Sequence, residues 1–421
     1  MNRIFLFLIS VVVACAIQAQ TFDLKGEFRF RPEFRQGYKQ LPDSNSESAY
    51  FVAQRNRLGL HYLSDSYEVQ LTLQETRVWG DQLFKSDKST IGVLESWVSI
   101  KLCDSLQLKT GRQKLIYGNQ RLFSENNWSR TGQVHDAAVL QWKSGINTID
   151  FGVAFNQTTE NIFGTDYINS VSTIKDNYKT MSFVRISKSI ANLNVAAMGV
   201  ADGFQALNSQ TLYVRATEGT EIKYKTKKIN FFASGYYQNG HTSIGTEISA
   251  WYFNAEIGYN TDKYSILFGN EIMSGDNVKS ASATYNQFIP LYCSNHAFNG
   301  SMDYFSNMQK STMGTGLIDN YLKLSYKVHK IWKLQFDYHY FATQQTTLAG
   351  GTSIDPFLAH EADLSLKFNF SNNFNLTTGY SVLLGSNTLE LLTGRPESNP
   401  AHWVFLMLEF KPVFFVHHFS K

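Results

Sequence analysis

Residues 25–37 read KGEFRFRPEFRQG, and every odd position from 25 to 35 is charged: Lys25, Glu27, Arg29, Arg31, Glu33 and Arg35. The even positions hold Gly26, Phe28, Phe30, Pro32, Phe34 and Gln36. Side chains of a strand alternate between faces, so the stretch is a ribbon with one aromatic face and one charged face. Few environments satisfy both faces. One that does is a strand with lipid on one side and an aqueous lumen on the other.

The same period recurs from end to end. Clear cases are YEVQLTLQ (67–74), IDFGVAFNQ (149–157), YLKLSYKV (321–328), WKLQFDYHYF (332–341), DLSLKFNF (363–370) and WVFLMLEF (403–410). LYVRATEGTEIKYKT (212–226) and FNLTTGYSVLL (374–384) follow it less cleanly. No long amphipathic helix competes. The connections alternate too. Long ones are expected at 38–49, 80–91, 118–133, 157–177, 201–209, 239–247, 274–316, 342–360 and 386–401, and short ones at eight places between them, such as 64–66, 103–105 and 371–373. That pattern predicts a transmembrane antiparallel up-and-down β-barrel of about 18 strands. Its short turns would be periplasmic and its long loops extracellular.

Composition fits this class. The 421 residues include 32 Phe and 22 Tyr, yet mean hydropathy is −0.25, because lipid-facing and water-facing residues cancel along each strand. A soluble β-sandwich or propeller also has many short strands. It does not need the loop asymmetry, and no repeat of constant period is visible. Formal net charge is +3, with neither a basic tail nor a phosphate-binding glycine loop, so nucleic acid is not expected as a partner.

Residues 1–20 read as a secretory signal: a basic start at Arg3, the apolar run 4–14, and small residues at Ala16 and Ala19. Lipidation of Cys15 is the alternative processing route. Residues 21–421 form the barrel, and no later apolar run is long enough for a membrane helix. The two remaining cysteines, Cys103 and Cys293, have no metal-ligand spacing, so neither a metal nor a cofactor is expected, and a disulfide between them stays open.

If Phe28, Phe30 and Phe34 face lipid, Arg29, Arg31 and Arg35 face the lumen. In YFVAQRNRLGLHYL (50–63), Arg55 and Arg57 repeat the arrangement. Arg77, Arg112, Arg121, Arg185 and Arg215 are further candidates for the lumen, with Glu27, Glu33, Glu68, Glu75 and Glu95 interspersed. Guanidinium groups match carboxylates in a bidentate fork, and rings of Arg or Lys select anions. The competing reading is that Arg and Glu pair across strands and only fill a polar interior.

Three stretches carry a family resemblance. GRQKLIYGNQRLF (111–123) with NNWSRTGQVHDAAVL (126–140), YNQFIPLYCSNHAFNGSMDYF (285–305), and RNRLGL (55–60) resemble motifs of the alginate-export outer-membrane barrels. The resemblance implies an 18-stranded monomeric barrel in the Gram-negative outer membrane, with an electropositive pore for a polyuronate. By motif it makes Arg57, Arg112 and Arg121 pore or pore-mouth residues, and Asp136 and Asp303 structural or gating positions.

The expected function is passage of an anionic solute, an acidic polysaccharide or oligosaccharide, without catalysis. The expected partners are that solute, outer-membrane lipid, and the barrel-assembly machinery, which would engage the C-terminal strand through Val404, Leu406, Leu408 and Phe410. Two alternatives place function in the outer loops. An enzymatic role would rest on His135-Asp136 or His417-His418, and an adhesive role on loop 274–316, which is long enough to plug the pore or to form a binding surface.

Overall fold

The structure is a computed structural model. It describes residues 20–85, 90–167, 177–206, 209–277, 283–349, 352–395 and 398–419. The leader expected at 1–20, with Cys15, lies outside the described residues up to residue 19.

Fifteen consecutive strands open the chain: β1 Gln20–Gln36, β2 Ala49–Leu63, β3 Tyr67–Val78, β4 Ile91–Cys103, β5 Leu106–Gln113, β6 His135–Ser144, β7 Asn147–Phe155, β8 Thr180–Ile190, β9 Leu193–Gln205, β10 Leu212–Lys225, β11 Ile229–His241, β12 Glu247–Asn260, β13 Tyr264–Met273, β14 Leu317–His329 and β15 Trp332–Ala342. A small loop hairpin follows, β16 Leu348–Ala349 and β17 Thr352–Ser353. The wall resumes with β18 Phe357–Ser371, β19 Phe374–Gly385, β20 Ala401–Phe410 and β21 Val413–Phe419. Each wall strand from β2 to β20 pairs antiparallel with the wall strand before it, and β1 pairs with β20 and β21. The sheet therefore closes through β19, β20 and β1, while β21 pairs with β1 alone.

β20 and β21 together make the eighteenth stave. Trp403 to Phe410 pair with the later half of β1, from Phe28 to Arg35. Beyond Lys411-Pro412, Val413 to Phe419 pair with Gln20 to Lys25. Proline donates no N–H, so the ladder breaks there and resumes with a register shift. The expectation that the closing strand ends at Phe410 is thus extended by nine residues, and the stave ends on another aromatic, Phe419.

Loop asymmetry is as expected, with nine long connections at one end and eight short turns at the other. The connections after β9 and β11 are shorter than expected, spanning 206–211 and 242–246, because those strands run on to Gln205 and His241.

The outer face is apolar. Phe28 and Phe34 are 38% and 39% exposed, while Arg29, Arg31 and Glu33 on the inner face are at most 8% exposed. Moving β1 by one residue would put those charges in lipid at about 2–4 kcal/mol each, which fixes the register. Aromatics gather near the turn end, where Phe374 stacks on Phe410 with centroids 4.4 Å apart, and near the loop end, with Tyr50, Trp79, Tyr237 and Trp251. The buried core sits inside the barrel and includes Phe123, Phe183, Phe288, Met302 and Trp403, with the partly buried Tyr292 packed against it.

Candidate pore and its two infolded loops

Two loops fill the loop-side half of the lumen. Loop 114–134, between β5 and β6, crosses the barrel. At one end Asn127, Trp128 and Ser129 lie against β1 and β2. At the other, Gly118 abuts the Glu221 carboxylate on β10, closely enough that a Cβ at Gly118 would collide with it. Gly118 also has φ +57, so glycine meets both a steric and a conformational demand. Loop 274–316 lies beside it. Tyr292 N–H donates to Leu122 O at 2.8 Å, and Ser124 N–H donates to Tyr292 O at 3.0 Å. Phe123 and Tyr292 rings meet at 5.4 Å. Of the two expected placements for loop 274–316, its described part takes the inward one.

The β1–β2 wall holds five guanidinium groups, from Arg29, Arg31, Arg35, Arg55 and Arg57. Arg55 donates through Nη1 to the carbonyls of Asn127 and Ser129, at 2.9 and 2.8 Å, and through Nε to Glu27 at 2.7 Å. Arg29 donates to Asn127 O at 2.7 Å and to Glu409 on β20. Arg31 donates to Trp128 O at 2.9 Å, lies over its ring at 4.4 Å, and pairs with Glu33, which Arg35 also engages. Arg57 reaches Gln74 Oε1 at 2.8 Å and Asn127 Oδ1 at 3.3 Å. Gly132 lets the loop approach, since a Cβ there would stand 2.9 Å from Arg57 Nη2. Arg29, Arg31 and Arg55 thus serve as a cradle for loop carbonyls.

Arg121 lies on loop 114–134 itself, 1% exposed. It pairs with Glu271 on β13 and donates to Asn299 Oδ1 of the second loop at 3.0 Å. Burial opposes the guanidinium's charge, but Glu271 together with Tyr252 and Cys293 outweighs it and raises the Arg121 pKa. Arg215 on β10 pairs with Asp202, which accepts from Tyr292 OH at 2.6 Å. Arg185 on β8 lies 3.8 Å from Glu221.

The register corrects two expectations. Arg77 shares its face with Glu75, which it contacts, and with Trp79, while Gln74 and Thr76 point inward beside Arg57 and Arg55. Arg112 faces Asp136 at 3.0 Å across the β5–β6 pair, on the side opposite the buried Gln113 and His135. Both arginines therefore have outward parity at the loop end of the wall, where Arg112 still borders the loop-side cavity.

The second loop is held by acids on β13 and β18. Asn299 Nδ2 donates to Glu271 Oε1 at 2.7 Å, and Met302 N–H to Glu361 Oε1 at 2.8 Å. Asp303 accepts from Tyr38 OH at 2.5 Å and meets His296 Nδ1 at 3.0 Å. Burial raises the pKa of this loop carboxyl, but His296, Lys39 and Tyr38 outweigh burial and hold it below its ordinary 3.8. His296 stacks on Trp128 at 4.0 Å, so the two loops also join here.

Two cavities lie in the lumen among the described residues. One, of about 870 Å³, lies on the loop side and includes Gln133, Asn156, Tyr178 and Gln309 in its lining. The other, of about 1160 Å³, runs from Gly118 and Asn119 down to the short turns. Cys103 and Cys293 form no disulfide. No cluster of three or more metal-ligating side chains occurs among the described residues.

The sequence matches a family model described as alginate export over residues 20–398. The chain belongs to the alginate-export family. It is an outer-membrane β-barrel, with the short turns on the periplasmic side. No curated protein is a significant match to the chain. Among solved structures, Pseudomonas aeruginosa OccK3 (OpdO) is similar with a TM-score of 0.61 and 12% identity, over 94% of this chain and 96% of that one. OccK9 (OpdG) of the same organism gives 0.61 and 11%, over 93% and 98%. P. aeruginosa OpdK, solved with vanillate, gives 0.58 and 10%, over 94% and 99%. At such identities the likeness is one of fold.

Among this family member's lumen residues, sequence reasoning missed Glu409, which anchors Arg29, and the carbonyls of Asn127, Trp128 and Ser129. It also missed Lys223 and Lys225, although they share the inward parity of Arg215. His135 and Asp136 were joined as one candidate, but successive strand residues point to opposite faces, and His135 instead bonds Tyr178 OH at 2.9 Å inside the barrel.

Proposed function

We propose that this outer-membrane channel passes an anionic solute, an acidic oligosaccharide or polysaccharide, along a lumen whose field is set by arginine. The observation that carries the reading is the charge balance of the β1–β2–β20 wall. Arg29, Arg31, Arg35, Arg55 and Arg57 face three carboxylates, Glu27, Glu33 and Glu409. The donors left over go to neutral carbonyls, so positive charge persists beside the constriction. In a low-dielectric surround that excess attracts anions and repels cations. Glu271 on β13 does not cancel it, because that carboxylate is offset by Arg121. Family membership supports the same reading.

The test is reversal potential across a planar bilayer in a salt gradient. The parent channel is expected to prefer anions, and Arg29→Glu/Arg31→Glu to shift toward cations. Cation preference of the parent would overturn the proposal. So would absence of conductance, in the parent and after removal of the infolded loops.

A further inference from the structure

We propose that the periplasmic vestibule opposite the arginine cradle, on β8 to β12, is a docking site for an acidic sugar chain. The 1160 Å³ cavity there has Gly118 and Asn119 as its roof and the β8–β9 and β10–β11 turns as its rim. Lys223, Lys225 and Lys227 line it, and among the described residues none makes a hydrogen bond or an ion pair within 4 Å through its ammonium group. They differ in this from the arginines of the cradle, whose donors are engaged by the loop. Arg185 adds a fourth cation, 3.8 Å from Glu221. Glu221 is itself held by Tyr236 OH at 2.7 Å. The cations thus outnumber the lining acids Glu221 and Glu256 by two to one.

Amides supply the second half of the chemistry. Asn119, Asn192, Asn194, Asn230 and Asn260 line the same cavity. An amide carries a donor and an acceptor side by side, which suits neighbouring sugar hydroxyls. Two of the five are positioned by each other, Asn260 donating to Asn230 at 2.7 Å, and Asn194 donates to Ser189 Oγ at 2.8 Å. Lysines for carboxylates beside amides for hydroxyls is the donor set an oligouronate requires, whereas a simple inorganic anion would use only the lysines. The site lies on the periplasmic side of the constriction, so a chain entering from the periplasm meets it before the infolded loops.

This inference rests on the anionic-solute reading, and single-channel block separates the two. Trimannuronate is added to the short-turn side of the reconstituted full-length barrel, with mannotriose as the neutral probe and triglutamate as the sugar-free anion. Trimannuronate is expected to block and mannotriose not. Lys223→Gln/Lys225→Gln/Lys227→Gln should shorten the residence time of trimannuronate about tenfold, as the loss of three solvent-screened contacts implies. Asn192→Ala/Asn194→Ala should shorten it severalfold while leaving the weaker triglutamate block unchanged. Heat-modifiable migration confirms that each variant is a folded barrel. If the parent is anion-selective and blocked but the lysine variant is blocked equally long, the docking site is overturned and the broader function stands. Block only from the long-loop side, or equal block by triglutamate, also overturns the site. A parent that is neither anion-selective nor blocked from either side removes the broader reading as well.

Discussion

Replacing Arg121 by leucine should release loop 114–134 from the lumen while the barrel stays closed. Arg121 and Glu271 are 1% and 2% exposed in their side chains, so neither is solvated by water. Without the guanidinium, Glu271 keeps Tyr252 OH at 2.9 Å and Asn299 Nδ2 at 2.7 Å, neither of which carries countercharge. Breaking a buried pair from one side costs about 3–5 kcal/mol. The undocked fraction of the loop should therefore rise roughly 10²- to 10⁴-fold. None of this falls on strand pairing, because Arg121 lies outside the wall strands. The assay is limited trypsin digestion of the detergent-solubilised barrel. Lys114 and Arg130 are cleavage sites in the same loop, and they should be cut in Arg121→Leu under conditions that spare the parent. Heat-modifiable migration should not change. Arg121→Leu/Glu271→Leu should recover part of the protection, since it removes the stranded carboxylate. Parental protease resistance in Arg121→Leu would refute the argument, because it would mean that the buried pair does not hold the loop.

Three other perturbations follow. Trp128→Ala removes the ring under Arg31 and the stack with His296, at about 1–2 kcal/mol, and should increase current fluctuations in single-channel records. Truncation after Phe410 leaves the start of β1 paired with β2 alone, one edge open, and should abolish heat-modifiable folding, whereas removal of residues 420–421 should not. The depressed pKa of Asp303 gives a pH dependence of known sign. A carboxyl whose folded pKa is lowered stabilises the docked loop fully above its ordinary 3.8, and that contribution is lost as pH falls through the lower folded value. Tryptic protection at neutral pH should therefore survive preincubation at pH 4 unchanged, the loop should undock only in stronger acid, as read by intrinsic tryptophan fluorescence, and Asp303→Asn should abolish that transition.

The wall was legible because a barrel strand is chemically polarised at every second residue. Phe28, Phe30 and Phe34 against Arg29, Arg31 and Glu33 state a register that lipid enforces, and the structure has it. The same rule could have excluded two pore candidates. Arg77 shares parity with Tyr67, Val69, Leu71 and Leu73, and Arg112 with Leu106 and Leu108, so alternation already pointed both outward. The lysines at 223 and 225 carry the parity of Arg215 and were readable in the same way. Strand ends at Gln205 and His241 were less legible, since a ladder can run past the membrane into the polar rim, where hydropathy no longer marks it.

What alternation cannot state is which partner an inward arginine takes. Arg29 and Arg55 both reach Asn127 O, from β1 and β2 to a loop about seventy to a hundred residues downstream, and Arg121 reaches Glu271 across the lumen. A guanidinium cradle built for carboxylate geometry accepts peptide carbonyls equally well, because both present oxygen lone pairs to the same planar fork. The loop therefore occupies on one wall the donors that a passing anion would otherwise use, and the lysines of the vestibule are left without such a tenant. Recognition and constriction are thereby assigned to different walls of the barrel. The lysine variant should change how long an acidic sugar is held, with little change in open conductance. Arg121→Leu should change open conductance, with little change in residence at the vestibule. If the two variants altered both quantities together, the division between walls would fail and a single coupled site would take its place.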